Sequence, residues 1–159
     1  MGGRVVDCAR LESVYTERHR GFESPPIRQR NPQIFFRRLM LKTILCSKIH
    51  RAIVTDANVD YEGSMAIDEE FLEEAGIVPY EKILIGNQSN GHRFETYAIK
   101  APRGSKSIVL NGAVAHLGKA GDRLTIMTFV QLTPEQIKTH APKVIVLNDQ
   151  NEIINRRGI

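Results

Sequence analysis

The sequence contains no apolar run of about 18 residues, so it predicts no transmembrane helix and no membrane partner. It has only two cysteines, Cys8 and Cys46, which are too few for a disulfide framework or for a zinc site with four cysteine ligands. This scarcity is typical of a reducing compartment, and we expect a cytoplasmic protein. The five histidines lack metal-ligand spacing, so we expect no metal.

Several common catalytic motifs are missing as well. There is no glycine-rich phosphate loop, no G-x-G-x-x-G dinucleotide fingerprint, no H-E-x-x-H pair and no G-x-S-x-G elbow. These absences exclude the usual nucleotide-binding, zinc-protease and serine-hydrolase interpretations. A catalytic domain in this chain needs a less common chemistry.

The chain also lacks a general surplus of positive charge. Its formal net charge of +4 comes entirely from residues 1–39, which hold eight arginines, no lysine and four acidic residues. Residues 40–159 hold basic and acidic residues in equal number. Because this larger segment has no net charge to attract a phosphate backbone, we expect no nucleic-acid partner.

Residues 1–39 differ in kind from the rest of the chain. They contain three prolines and no sustained apolar period, which is typical of a segment with little to bury. We expect an N-terminal extension that is disordered or non-native, with the domain occupying residues 40–159. A functional basic arm is the alternative for this segment.

From Met40 onward the sequence is typical of short strands separated by turns. Six or seven short strands and two short helices favour a mainly β fold, and among such folds a small closed barrel. The polar residues after 147 are expected to fray. The predicted strands cover residues 41–55, 64–67, 82–88, 93–100, 107–110, 123–131 and 143–147.

Local signals mark the helices and one hairpin. Asp68 is expected to cap a helix over Glu69–Ala75, and Gly76 to end it. Pro134 is expected to open a second helix that reaches about residue 140. The Asn-Gly pair at 90–91 predicts a hairpin between two strands.

The pair Gly63-Ser64 lies at a turn between two strand-like segments. Glycine allows strained backbone angles there, so the serine hydroxyl can be held against the preceding carbonyl. Attack on that carbonyl gives an ester, and elimination and hydrolysis then leave a pyruvoyl group at a new chain terminus. Such a ketone condenses with an amine and accepts electrons from a breaking bond, as pyridoxal phosphate does. Taken alone, however, most Gly-Ser pairs are ordinary turns.

Four ordered stretches give this pair a context, namely 48–51 (KIHR), 61–68 (YEGSMAID), 90–97 (NGHRFETY) and 111–116 (NGAVAH). Together they resemble the pyruvoyl-dependent aspartate 1-decarboxylase family, which makes beta-alanine for pantothenate and coenzyme A synthesis. The similarity runs from Met40 to about Val130. It differs from the family at Met65, where a small residue or cysteine is common, and at Gly86, where some relatives carry tryptophan.

The resemblance implies a double-psi β-barrel that assembles as a homotetramer. It also implies autocatalytic cleavage between Gly63 and Ser64, which yields a beta chain ending at Gly63 and an alpha chain that begins with the pyruvoyl group. That covalent group would act without pyridoxal phosphate, forming a Schiff base with L-aspartate. Its decarboxylation would give beta-alanine and carbon dioxide.

The two-residue period of a strand places Lys48 and His50 on the same face of the first predicted strand. It likewise places Arg93 and Tyr97 on the same face of the strand over 93–100. Taken alone, Lys48 and His50 suit a solvent-facing polar pair. Arg93 then suits a surface arginine, and Tyr97 an aromatic residue that packs in the barrel. The resemblance instead implies that Arg93 and Lys48 bind the substrate carboxylates and that Tyr97 is the proton donor. It further implies that Gly112, Ala113 and Val114 contact the substrate, whereas without the resemblance they suit a plain turn. Supporting roles are implied for Thr96, Asn111, His50 and Tyr61.

Two alternatives from other classes remain at this point. Small barrels also serve as binding modules, and the arginine-rich residues 1–39 could then act as a basic arm. The absence of interleaved aromatic and basic residues argues against nucleic-acid binding. The second alternative is an enzyme-like domain that never cleaves itself.

Overall fold

The computed structural model describes residues 40–158. The predicted extension over residues 1–39 lies outside this described part. Within it the fold is mainly β, as predicted, with three short helical segments. The strands are β1 (Lys42–Ile53), β2 (Asp56–Asn58), β3 (Met65–Asp68), β4 (Lys82–Asn87), β5 (Arg93–Ala101), β6 (Ile108–Asn111), β7 (Arg123–Leu132), β8 (Lys143–Leu147) and β9 (Ile153–Arg157). The helices are α1 (Glu69–Ala75), a 3-10 helix (Gly112–Leu117) and α2 (Pro134–Ile137).

The described residues form nine strands, more than the six or seven expected. The two additional strands are β2 and β9. β2 has only three residues and pairs in parallel with β6. β9 is polar and exposed, and it pairs antiparallel with β8 where fraying was expected. Neither strand shows an apolar alternation, so the strand character of β2 depends on the distant strand β6 and that of β9 on the neighbouring strand β8.

The nine strands form one sheet in the order β2-β6-β3-β5-β4-β7-β1-β8-β9. β1 and β2 are separated by only two residues, Val54 and Thr55, yet they occupy the seventh and first positions. The backbone N–H of Thr55 donates to the carbonyl of Ile108 on β6 at 2.8 Å. The sheet must therefore curl, because so short a connection joins strands far apart in its order.

The core lies on the inner face of this curled sheet. Fully buried aliphatic residues alternate along the strands with more exposed ones, as the two-residue period requires. Phe71 and Leu72 of α1 pack into the same cluster. The fully buried strand residues include Ile49, Met65, Ile67, Ile83, Ile85, Ile108, Leu110, Leu124, Ile126, Ile145 and Leu147.

The local predictions for α1 and the hairpin are confirmed. The Asp68 side chain accepts a hydrogen bond from Glu70 N at 2.8 Å, and Gly76 ends the helix with a left-handed φ of 69°. Gly91 turns the hairpin between β4 and β5 with a φ of 80°. α2 begins at Pro134 with a capping box from Thr133, but it ends at Ile137 and continues only as a turn.

Candidate active site

Ser64 is buried immediately before β3, with 2% of its surface exposed. Its hydroxyl donates a hydrogen bond to the backbone carbonyl of Tyr97. The preceding Gly63 has a φ of 141°, a conformation that L side chains rarely adopt. The chain thus holds the serine hydroxyl in a fixed direction beside a backbone that only glycine adopts readily.

The strand register explains which residues surround this serine. β3 pairs in parallel with β5 through Met65 and Ala98, and antiparallel with β6 through Met65 and Leu110. Tyr97 and Asn111, the neighbours of those partners, are therefore brought to either side of Ser64. Asn111 is 4% exposed and ends β6.

Gly112 follows Asn111 and approaches the same turn through its backbone. An ideal Cβ at this position would lie 3.0 Å from the Gly63 carbonyl oxygen and 3.4 Å from that of Tyr61. The chain thus forms a cradle around the Gly63-Ser64 bond that a side chain at residue 112 would fill. This close fit suits a group that is made from Ser64 in place.

A cavity of about 600 Å³ opens beside Gly63, and we call it the serine cleft after Ser64, which follows Gly63 in the chain and is buried behind the cavity lining. The Tyr80 and Tyr97 rings stand at its wall with their centroids 6.4 Å apart and their planes tilted by 38°. Tyr97 is 42% exposed, so its phenol is accessible. The serine cleft is lined by Tyr61, Glu62, Gly63, Pro79, Tyr80, Tyr97, Ile99 and Lys100.

A second cavity of about 340 Å³ is lined by both residues predicted to bind the substrate carboxylates, Lys48 and Arg93, and we call it the basic cleft. Its lining includes no carboxylate, so the arrangement suits an anion. An ideal Cβ on Gly86 would lie 3.9 Å from the Arg93 Nη2 atom, which leaves room above this glycine. The basic cleft is lined by Lys48, His50, Gly86, Asn87, Gln88, Gly91, His92, Arg93, Thr125 and Met127.

His50 is fixed at the edge of the basic cleft. Its Nδ1 lies 3.2 Å from the Thr125 hydroxyl, and Thr125 also accepts a hydrogen bond from Gln88 at 2.9 Å. Burial lowers the pKa of His50, and the nearby charge of Lys48 lowers it further, followed by Arg51, Arg157 and Arg123. His50 therefore favours its neutral form at neutral pH.

A single chain does not bring the two clefts together. Lys48 stands opposite Met127, which stands opposite Leu84, which stands opposite Glu95 on β5. Three strand spacings separate Lys48 from β5, or about 14 Å of backbone. Arg93 precedes Tyr97 by four residues along β5, or about 13 Å. The predicted site residues therefore divide into one group around Ser64 and another in the basic cleft.

The remaining predicted residues occupy varied positions. Thr96 is half-buried and opposite Ile83, on the other face of β5 from Tyr97. Ala113 is exposed, and Val114 packs against the hydrophobic core. Met65, where the sequence departs from the family, is fully buried in that core.

Tyr80 and Lys100 are among the residues of the serine cleft that were not singled out from the sequence. Tyr80 has a φ of 67°, and its backbone N–H donates to the carbonyl of Ala98 at 2.8 Å. Lys100 extends to Glu69 of α1, with 2.6 Å between Nζ and Oε1. No motif marks either residue.

Comparison with known proteins bears on one of the alternatives, the non-catalytic binding module. The family model described as aspartate decarboxylase matches residues 40–154. The chain belongs to the aspartate decarboxylase family. An aspartate 1-decarboxylase of Caldicellulosiruptor saccharolyticus is 53% identical over 115 residues, which cover 72% of this chain and 90% of that protein. One from Staphylococcus aureus strain JH9 is 52% identical over 115 residues, covering 72% and 91%.

Family membership confirms the resemblance predicted from the four stretches of sequence and does not favour a non-catalytic binding module. Among residues 40–158, no helix is both long and apolar enough to cross a membrane. The same part of the chain shows no group of three or more histidine, cysteine or acidic side chains that could hold a metal ion.

Proposed function

We propose that this chain is a self-processing enzyme that converts L-aspartate to beta-alanine and carbon dioxide for pantothenate and coenzyme A synthesis. The observation that carries the proposal is the buried Ser64 hydroxyl, held by the Tyr97 carbonyl beside a glycine of unusual backbone angle. Membership of the aspartate decarboxylase family supports the substrate. The scarcity of cysteine supports a cytoplasmic setting.

The first step is cleavage of the chain at Gly63-Ser64. The Ser64 Oγ attacks the Gly63 carbonyl carbon, the C–N bond breaks, and the hydroxyl proton passes to the freed nitrogen. Loss of the Ser64 α-proton then breaks the Cβ–Oγ bond and releases the Gly63 carboxylate. Water replaces the nitrogen, which leaves as ammonia, and the alpha chain begins with a pyruvoyl group. The beta chain ends at Gly63.

The pyruvoyl group supplies an electrophilic ketone that binds the substrate amine and withdraws electrons from the bond to the departing carboxylate. Arg93 holds a substrate carboxylate through paired hydrogen bonds, and Lys48 contributes a second positive charge. Tyr97 donates the proton that replaces carbon dioxide, since a phenol with a pKa near 10 in water is protonated at neutral pH.

The remaining residues have supporting roles. Asn111 and Tyr61 bind intermediates by hydrogen bonds, and His50 borders the basic cleft. Thr96 contributes its hydroxyl to chain cleavage. The backbone of Gly112, Ala113 and Val114 borders the substrate. No metal and no pyridoxal phosphate take part.

The separation of the two clefts supports an assembly of several subunits. Lys48 lies three strand spacings from β5, or about 14 Å of backbone, and Arg93 lies about 13 Å of backbone from Tyr97, which is too far for them to hold a small substrate beside Ser64 of the same chain. We place the complete site between neighbouring subunits of a homotetramer. One subunit supplies the serine cleft and the next supplies the basic cleft, and each subunit forms a closed double-psi β-barrel.

The test is the intact mass of the purified protein together with an assay of beta-alanine release from L-aspartate. We expect two fragments, cut before residue 64, and a terminal mass that fits a pyruvoyl group. Ser64→Ala should give one uncut, folded and inactive chain, whereas Ser105→Ala, which changes an exposed loop serine, should be cut normally. Decarboxylation by uncut Ser64→Ala at the wild-type rate would refute the proposal.

A further inference from the structure

Gly112 lies against the one carbonyl group that chain cleavage must activate. Its φ is 62°, and an ideal Cβ there would lie 3.0 Å from the Gly63 carbonyl oxygen. The hydrogen that takes the place of this Cβ therefore points toward that oxygen. The carbonyl oxygen of Tyr61 lies on the same side, 3.4 Å from the same point. Two carbonyl groups thus converge on a position that has room for a hydrogen atom and little more.

We propose that Gly112 positions the Gly63 carbonyl for the first step of self-cleavage, and that a side chain at residue 112 blocks this step in a folded chain. The role rests on the proposed function, since it concerns the making of the pyruvoyl group. It is separate from contact with substrate, because it acts before any substrate-binding site is complete. Gly112 is a positioning residue in this role.

The chemistry of the acyl shift explains why a small displacement matters. When Ser64 Oγ forms its bond to the Gly63 carbon, the carbonyl oxygen gains negative charge and moves out of the plane of the peptide. The C–N bond then breaks, and the hydroxyl proton ends on the nitrogen. The Ser64 hydroxyl is already fixed by the Tyr97 carbonyl, so the approach angle depends on where the Gly63 carbonyl stands.

Gly112 affects that carbonyl in two ways. Its Cα hydrogen occupies the direction of the ideal Cβ, so the oxygen has little free space on that side, and the Cα–H offers a weak donor to the developing charge. A methyl group at residue 112 would come within 3.0 Å of the oxygen, so the oxygen would have to move by a few tenths of an ångström. That movement would change the angle between the scissile carbonyl and the fixed hydroxyl.

The chain offers a matched control for backbone strain. Gly121 also has a positive φ, 87°, but an ideal Cβ there meets nothing within 4 Å. Gly112→Ala and Gly121→Ala therefore impose the same kind of left-handed strain. Only the substitution at 112 brings an atom against the scissile carbonyl.

The experiment follows chain cleavage after synthesis by denaturing electrophoresis and intact mass, with the melting temperature of each variant measured in parallel. We expect Gly121→Ala to be cut at the wild-type rate and Gly112→Ala to be cut at least about tenfold more slowly at a comparable melting temperature. Equal cleavage rates for the two variants would overturn the role of Gly112. An uncut wild-type chain would instead overturn the proposed function itself, and this role with it.

Hydroxylamine identifies the affected step, because it cleaves the ester formed by the acyl shift and leaves the amide intact. We expect hydroxylamine to release the fragments cut before residue 64 at least about tenfold more slowly from Gly112→Ala than from Gly121→Ala, with intact mass distinguishing them from cleavage at the Asn90-Gly91 bond. Release of those fragments at equal rates would show that the ester still forms normally, which contradicts a role in the first step.

A second variant, Gly112→Asn, covers the case in which alanine prevents folding. Asparagine tolerates the left-handed backbone better than alanine but carries the same Cβ. We expect it to fold and to remain uncut. Normal cleavage of Gly112→Asn, or unfolding of both variants while Gly121→Ala folds, would refute the proposed role.

Discussion

The Ser64 hydroxyl donates its hydrogen bond to the backbone carbonyl of Tyr97, not to a side chain. Parallel pairing of β3 with β5 fixes this contact, since Met65 and Ala98 are opposite one another. The orientation of the serine before cleavage thus depends on backbone register. The Tyr97 side chain remains available in the serine cleft for a different step.

Because the backbone of Tyr97 orients Ser64 while its side chain faces the serine cleft, we predict that Tyr97→Phe leaves chain cleavage intact and impairs decarboxylation. The variant keeps the backbone carbonyl and the ring that faces Tyr80, but it loses the phenol proton. We expect normal cleavage into two fragments and a fall in kcat of about 100-fold or more, because general acid catalysis is lost. Mass spectrometry and the rate of beta-alanine formation measure the two effects. Tyr80→Phe is the control, and a failure of Tyr97→Phe to be cut would contradict this prediction.

Removal of either cation from the basic cleft should weaken use of aspartate more than it weakens folding. Lys48 and Arg93 line the cleft, and Arg93 is exposed there rather than part of the core. We expect Lys48→Ala and Arg93→Ala each to lower kcat/KM by at least about tenfold, since a charge-assisted bond to a carboxylate is lost. Steady-state kinetics and thermal unfolding measure the two properties. Lys138→Ala, at an exposed position, is the control, and an unchanged kcat/KM would remove these residues from the site.

Mixed assemblies test whether one site uses two subunits. Co-expression of Lys48→Ala with Ser64→Ala should restore part of the activity that each variant lacks, because some sites then combine an intact serine cleft with an intact basic cleft. Lys48→Ala with Arg93→Ala should restore none, since both changes lie in the same cleft. Activity assays on the purified mixed assemblies distinguish the outcomes. Absence of recovery in the first mixture would place the whole site within one chain.

The lowered pKa of His50 predicts a loss of stability in acid. Burial is the main cause, followed by the charge of Lys48 and of the arginines at 51, 157 and 123. Below the ordinary histidine pKa of about 6.5, the unfolded chain binds a proton that the folded chain resists, so stability falls with pH. Above that pH both states are neutral, and this contribution is fully present.

Thermal unfolding between about pH 7 and pH 5 measures this effect. We expect His50→Gln to lose less stability on acidification than the wild type does. His116→Gln, at an exposed histidine, should follow the wild type. An identical pH dependence for His50→Gln and the wild type would show that His50 contributes nothing to it.

Deletion of residues 1–39 should leave both cleavage and decarboxylation intact. The family match begins at residue 40, and β1 begins at Lys42. A chain that starts at Met40 therefore keeps every residue assigned to the site. Cleavage rate and kcat/KM of the two lengths can be compared directly, and a large loss in the short form would give the extension a function.

Local sequence signals determined several features correctly. Asp68 and Gly76 delimit α1 because a side-chain oxygen satisfies a free amide and glycine accepts a left-handed angle. The hairpin at Gly91 and the shared face of Lys48 and His50 depend on equally short distances along the chain. The family itself was recognisable from four short stretches.

The tertiary structure alone decided how these pieces meet. The strand β2 exists because the distant strand β6 pairs with it, and a backbone hydrogen bond to Ala98 holds Tyr80 beside the serine cleft. The register also separated Lys48 and Arg93 from Ser64. The physical reason is that caps and turns involve neighbouring residues, whereas strand order depends on the burial and hydrogen bonding of the whole curled sheet.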